Sequence, residues 1–241
     1  MPEMLGIPYE REVDKMSAQQ KMYNFIKRTM VIFAILICVS GATYAQEKAD
    51  ALKLYRTGRS LDSAGRTEEA KTSYMAAVDV CLAELRQNPR NMESYTVYTW
   101  SLFRLHRYRE TVTVCNEALK IASDVRIIET LGEAYFYLND YKESLRQMER
   151  YIDMAPTGER ASVAYFYVGD IYRLTKHYQK ADIAYSAAVH LEPSNSLWWY
   201  RLGLAREQTG YKQSARDAFQ RALNIRKDYK EAAEGLARVQ L

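Results

Sequence analysis

The chain has 241 residues, 48% hydrophobic and 27% charged, which is enough apolar content for an ordinary packed core and too much for a disordered chain. Ten Gly and five Pro beside abundant Ala, Leu, Glu, Lys and Arg favour helices over a turn-rich β-sandwich. The net charge of +4 comes from basic residues interleaved with acidic ones, a pattern of solvated helix faces that lacks the basic stripe nucleic-acid binding needs.

The first element in chain order is a targeting signal. Lys21 to Arg28 supply positive charge, Thr29 to Ala42 are apolar and uncharged, and the run ends on small Ala45 before polar Gln46. This is the layout of a secretory signal peptide cleaved between Ala45 and Gln46, and it predicts an exported, periplasmic protein. If retained, the uncharged stretch 29–46 reaches the lower edge of spanning length. It would then anchor the chain in the membrane, with the rest outside the cytoplasm. A lipidated Cys38 is a weaker reading, because the preceding "ILI" lacks the usual small residue. A chain starting at Met22 would carry a signal of ordinary length, so residues 1–21 are open to being untranslated. Residues 1–45 are therefore set apart from the fold.

Beyond them the sequence repeats. Gly58, Gly132, Gly169 and Gly203 are each followed twelve residues later by a small residue, namely Ala70, Ser144, Ala181 and Ala215; Thr99 and Thr111 keep the same spacing. Four and seven residues further on stand Tyr74 and Ala77, Cys115 and Ala118, Met148 and Tyr151, Tyr185 and Ala188, and Phe219 and Ala222. Five units of about 34 residues result, at 49–90, 91–124, 125–160, 161–194 and 195–228. An amphipathic segment at 229–241 would cover the exposed end.

The pattern resembles the tetratricopeptide repeat (TPR). In the fourth unit Tyr165, Val168, Gly169, Tyr172, Ala181, Tyr185, Ala188 and Pro193 occupy all eight signature positions. The fifth matches through Trp199, Leu202, Gly203, Ala215, Phe219 and Ala222, and the third through Ile128, Leu131, Gly132, Tyr135 and Pro156. The first and second units depart from it: Leu61 replaces the first-helix Tyr, and Thr99 and Thr111 replace the small Gly and Ala. The resemblance implies an all-α, right-handed superhelical solenoid of five helix-turn-helix units and a capping helix.

Residue chemistry supports that reading independently. A Gly on the buried stripe lets the partner helix approach closely, and an isolated unit cannot bury its stripe without neighbours. The 21 residues from Ala70 to Asn91, against 14 from Ala181 to Asn195, predict a second helix about two turns longer in the first unit. Asn91 and Asn195 read as N-caps, and "PTGER" (156–160) as a lengthened loop.

In the TPR family the working surface is the concave face of the first helices. Positions about 140° from the packing stripe on the helical wheel hold Tyr55, Arg59, Trp100, Phe103, Glu129, Glu133, Phe136, Tyr137, Phe166, Asp170, Arg173 and Tyr200. The Lys and Asn with which chaperone-binding members clamp a C-terminal carboxylate are missing, since the corresponding positions hold residues such as Tyr55, Thr96 and Phe166. The groove is expected to bind a protein or peptide with apolar anchors and a basic residue for Glu129, Glu133 or Asp170, half of the aromatics packing between neighbouring helices instead.

Catalysis is not expected. His106, His177 and His190 have no metal-ligand spacing to another His or Cys, and there is no phosphate loop or nucleophile motif. No cofactor is called for. Cys81 and Cys115 read as buried free thiols. The leading function is an exported scaffold or adaptor, with a role in cell-envelope assembly. The alternative is an accessory binding protein for an apolar small ligand or lipid beside a transporter, which a deep enclosed pocket would favour.

Overall fold

A computed structural model describes residues 50–239, and among them there are eleven α-helices and no strand. Unit 1 pairs α1 (Ala51–Ser63) with α2 (Thr67–Gln87), and unit 2 pairs α3 (Met92–Arg104) with α4 (Tyr108–Ile121). Units 3, 4 and 5 are α5 (Val125–Tyr137) with α6 (Tyr141–Met154), α7 (Ala161–Leu174) with α8 (Tyr178–Leu191), and α9 (Ser196–Gln208) with α10 (Lys212–Ile225). Helix α11 (Lys230–Arg238) packs on α9 and α10. The proposed cleavage site at Ala45 and Gln46 lies outside the described residues.

Four of the five units are closed by one large side chain lying against one glycine. A Cβ added at Gly58 would sit 2.5 Å from the Tyr74 ring, at Gly169 2.5 Å from Tyr185, at Gly203 2.6 Å from Phe219, and at Gly132 2.9 Å from the Met148 methyl. Real contacts between carbon atoms lie near 3.5–4.0 Å, so only glycine fits against the rings, while at Gly132 the flexible end of Met148 would have to shift. The small residues Ala70, Thr111, Ser144, Ala181 and Ala215 are fully buried beside these pairs. Unit 2 reaches the same closure by the opposite choice of sizes, with Thr99 opposite Cys115, both fully buried.

The turn inside every unit carries one residue in the left-handed region: Gly65 (φ 74°), His106 (58°), Asn139 (60°), Lys176 (61°) and Gly210 (80°). Here a glycine is free of Cβ strain, and the other three bear a modest cost. The first helices of units 1, 2, 3 and 5 start on a capping side chain. Asp50 accepts from Leu52 N at 2.9 Å, Asn91 from Ser94 N at 3.3 Å, Asp124 from Arg126 N at 2.9 Å and Asn195 from Leu197 N at 3.1 Å. Helix α7 starts on Arg160, whose side chain caps nothing.

Consecutive first helices touch one another, whereas among the described residues no two second helices do. The stack therefore curves towards the first helices, which form its inner face. Helix α2 has 21 residues and the other second helices 14 each, which takes up the wider spacing between Ala70 and Asn91.

Candidate functional site

A cavity of about 370 Å³ opens on the inner face, between α1, α3, α5 and the connection 155–160 that links α6 to α7. Tyr55, Arg59, Trp100, Phe103, Glu129 and Glu133, all expected in the groove, line it. So do Arg104, Arg126, Tyr151, Glu159 and Arg160, which the repeat register did not nominate. A larger recess of about 680 Å³ lies on the outer side beside Leu82, Tyr98 and Glu117, but none of its charged residues is buried.

The centre of the inner cavity is a three-residue ion cluster. Arg160 Nη2 donates to Glu129 Oε1 and to Glu133 Oε1, each at 2.6 Å, and its Nε donates to Glu129 Oε1 at 3.0 Å. The carboxylates are 5% and 7% exposed, while the Arg160 side chain is half-exposed. Burial, with the charge of Glu129 one turn away, pushes the Glu133 carboxyl well above its ordinary range, and the attraction of Arg160 and Arg104 does not offset this. The connection that carries Arg160 is six residues long, and Tyr151 Oη accepts from Arg160 N at 3.2 Å to hold it in place. Arg160 has taken the N-cap position and turned its side chain into the groove.

The aromatic side chains divide into three sets. Trp100 meets Tyr55 at 5.4 Å on the wall of the cavity. A second set forms a continuous ladder: Phe103 meets Tyr137 at 5.6 Å, Tyr137 meets Phe136 at 5.8 Å, Phe136 meets Tyr167 at 5.0 Å, and Phe166 meets Tyr167 at 6.1 Å and Trp198 at 5.2 Å. Phe136 and Phe166 thus join successive first helices. Tyr200 lies against Phe219 at 6.0 Å and Tyr229 at 5.2 Å, under the capping helix. Tyr137 is half-exposed, with Tyr108 stacked on it at 4.8 Å.

The acidic side chains expected to meet a partner's basic residue already have donors. Glu129 and Glu133 hold Arg160, and Asp170 accepts from Tyr185 Oη at 2.5 Å and Arg173 Nε at 3.1 Å, with Arg201 Nε 3.7 Å away. Among the described residues no group of three or more His, Cys, Asp or Glu is placed to hold a metal, and no helix is long and apolar enough to cross a membrane. Cys81 and Cys115 are free and buried; burial pushes the Cys81 thiol up to about 12 and the Cys115 thiol higher still.

The sequence profile of the tetratricopeptide repeat matches residues 129–189 and 178–235. Those residues are tetratricopeptide repeats. The architecture of the described chain is that of TPR solenoids. MamA from Desulfovibrio magneticus RS-1 superposes with a TM-score of 0.59 at 21% identity, over 76% of this chain and 98% of that one. YrrB, described as a TPR protein with an unusual peptide-binding site, superposes with a TM-score of 0.53 at 17% identity, over 81% and 95%. At these identities the likeness is one of fold. A BBSome complex member BBS4 homolog of Drosophila melanogaster is 26% identical over 147 residues, 57% of this chain and 30% of the relative. The chain thus spans under a third of that relative's length. TPR repeats serve as protein-interaction scaffolds, and this chain carries the scaffold.

Proposed function

We propose that the protein is an exported TPR adaptor that holds a segment of a protein partner in the concave groove, centred on the cavity between α1, α3 and α5. The observation that carries this reading is that cavity itself, where exposed Arg59 and half-buried Trp100 and Phe103 stand beside the buried carboxyl groups of Glu129 and Glu133. The peptide-binding description of YrrB is in keeping with it. Four arginines and three glutamates in the lining suit a peptide better than an apolar small ligand or a lipid chain.

Affinity capture from envelope extract would supply a partner. Trp100→Ala should then weaken binding by about 1–3 kcal/mol, roughly five- to 150-fold, as for a buried aromatic anchor. Lys142→Ala and Lys180→Ala, on the outer face, should not. Loss of binding in the outer-face variants alone would move the site to the second helices. Export rests on the run from Lys21 to Ala45, and N-terminal sequencing of the native protein should read from Gln46. A chain still carrying residues 22–45 would favour the membrane-anchored form.

A further inference from the structure

The groove of the proposed function also carries a bias in charge, and the inference from it rests on that function. The carboxylates that the first helices place towards the concave face are already bonded: buried Glu129 and Glu133 to Arg160, buried Asp170 to Tyr185 and Arg173, exposed Glu93 to Arg126, and Glu207 to Arg238. The cations are not matched in the same way. Arg59 is exposed on the cavity wall and makes no ion pair among the described residues. Arg104 faces the hydroxyl of Tyr55 and lies within electrostatic reach of Glu133, but it makes no ion pair among the described residues. Further along, Arg173 and Arg201 share the single carboxylate of Asp170, and Arg201 Nε has no hydrogen-bond partner. Glu159 stands against this trend, but it is exposed and belongs to the connection, not to a first helix. The upward shift of Glu133 removes negative charge from the same face and so deepens the imbalance.

Two arginine clusters on different helices, α1 with α3 and α7 with α9, cannot both be satisfied by one terminal carboxylate. They fit carboxylates repeated along a chain, which arginine forks bind with charge-assisted hydrogen bonds. We propose that the groove takes an extended acidic segment of a partner protein, whose internal Asp or Glu side chains meet Arg59 and Arg104 at one end and Arg173 and Arg201 at the other. An apolar side chain of that segment enters the cavity beside Trp100 and Phe103.

The test uses fluorescein-labelled, end-blocked peptides in which one Phe is flanked by glutamates, by lysines or by serines. A fourth peptide, serine-flanked, ends in a free carboxylate. Anisotropy titration of the protein at low and physiological salt should show the glutamate peptide binding at least about tenfold tighter than the serine peptides, and losing affinity with salt. The double variant Arg59→Ser, Arg104→Gln should lose about fivefold or more for that peptide and flatten its salt dependence, and Arg201→Gln should lose about twofold. Lys142→Ala should match the wild type, with circular dichroism verifying the fold of each variant.

No binding of the glutamate peptide, or tighter binding of the lysine peptide, overturns the proposal. Preference for the free carboxylate overturns the choice of internal side chains. Equal binding of the glutamate and serine peptides, lost in Trp100→Ala, removes the acidic partner and leaves the groove standing. Binding lost only in Lys142→Ala removes both.

Discussion

Gly203 and Phe219 offer the sharpest test of how the units close. The Cβ that Gly203→Thr introduces would lie 2.6 Å from Cδ1 and Cε1 of Phe219, about 1 Å inside ordinary contact. The ring is fully buried and also lies against Gly235 of α11, so it cannot swing aside. Overpacking of this kind costs about 1–3 kcal/mol, slightly reduced by the better helix propensity of Thr. Phe219→Cys alone leaves a void and should cost about 2–4 kcal/mol, a little less than truncation to Ala. Made together, the two changes copy the Thr99 and Cys115 pair of unit 2, and the added bulk fills part of the void. The double variant should therefore be at least about 1 kcal/mol more stable than the sum of the single changes, within the range found for residues in contact. Urea unfolding followed by circular dichroism, and by the fluorescence of Trp198 and Trp199 in neighbouring α9, would measure the cycle. Additivity within about 0.3 kcal/mol would refute size complementarity as the principle of closure.

Other expectations follow from the buried groups. The raised Glu133 carboxyl contributes stability that is complete below the pKa of an unfolded Glu and is lost as pH rises through its folded value, so Glu133→Gln should gain on the wild type in melting temperature as pH rises from about 5. A flat difference over that rise would mean that Glu133 is ionised throughout. Arg160→Ala should destabilise the protein by about 3 kcal/mol in urea titration, because it strands Glu129 beside a second carboxyl in a site with little water, and a loss under about 0.5 kcal/mol would show the cluster to be solvated. Cys81 and Cys115 should resist a thiol reagent at pH 8 in the folded protein and react in urea, since burial raises both thiols.

The fold was legible because its rule is local and recurs. Each glycine and its large partner stand sixteen residues apart, as do Thr99 and Cys115, so the pairing can be found by spacing alone even where both residue types change. The site was only partly legible. A helical wheel treats each helix by itself, so it placed Trp100, Phe136 and Phe166 on one face without telling which would meet the next first helix. The packing of α5 on α7 brings Phe136 to Tyr167, at 5.0 Å, whereas Trp100 meets Tyr55 of α1 and stands on the wall of the cavity. Arg160 escaped notice for a different reason. It stands in an insertion with no repeat register, and its reach to Glu129, 31 residues earlier, depends on the path of that loop. The available signal was an Arg where the first helices of the other units begin on Asp or Asn.

The ladder of rings from Phe103 to Trp198 bears on how the groove can respond to a guest. Stacked repeats often flex like a spring, each interface giving a little. Rings in contact at every step from α3 to α9 resist that bending, because opening one joint would part aromatic surfaces whose pairs contribute about 0.5–1.5 kcal/mol each beyond area burial. The curvature over units 2 to 5 is therefore set before any partner arrives. Little ordering entropy is lost on this side of the complex, and selection falls on whether the guest already suits the shape it finds.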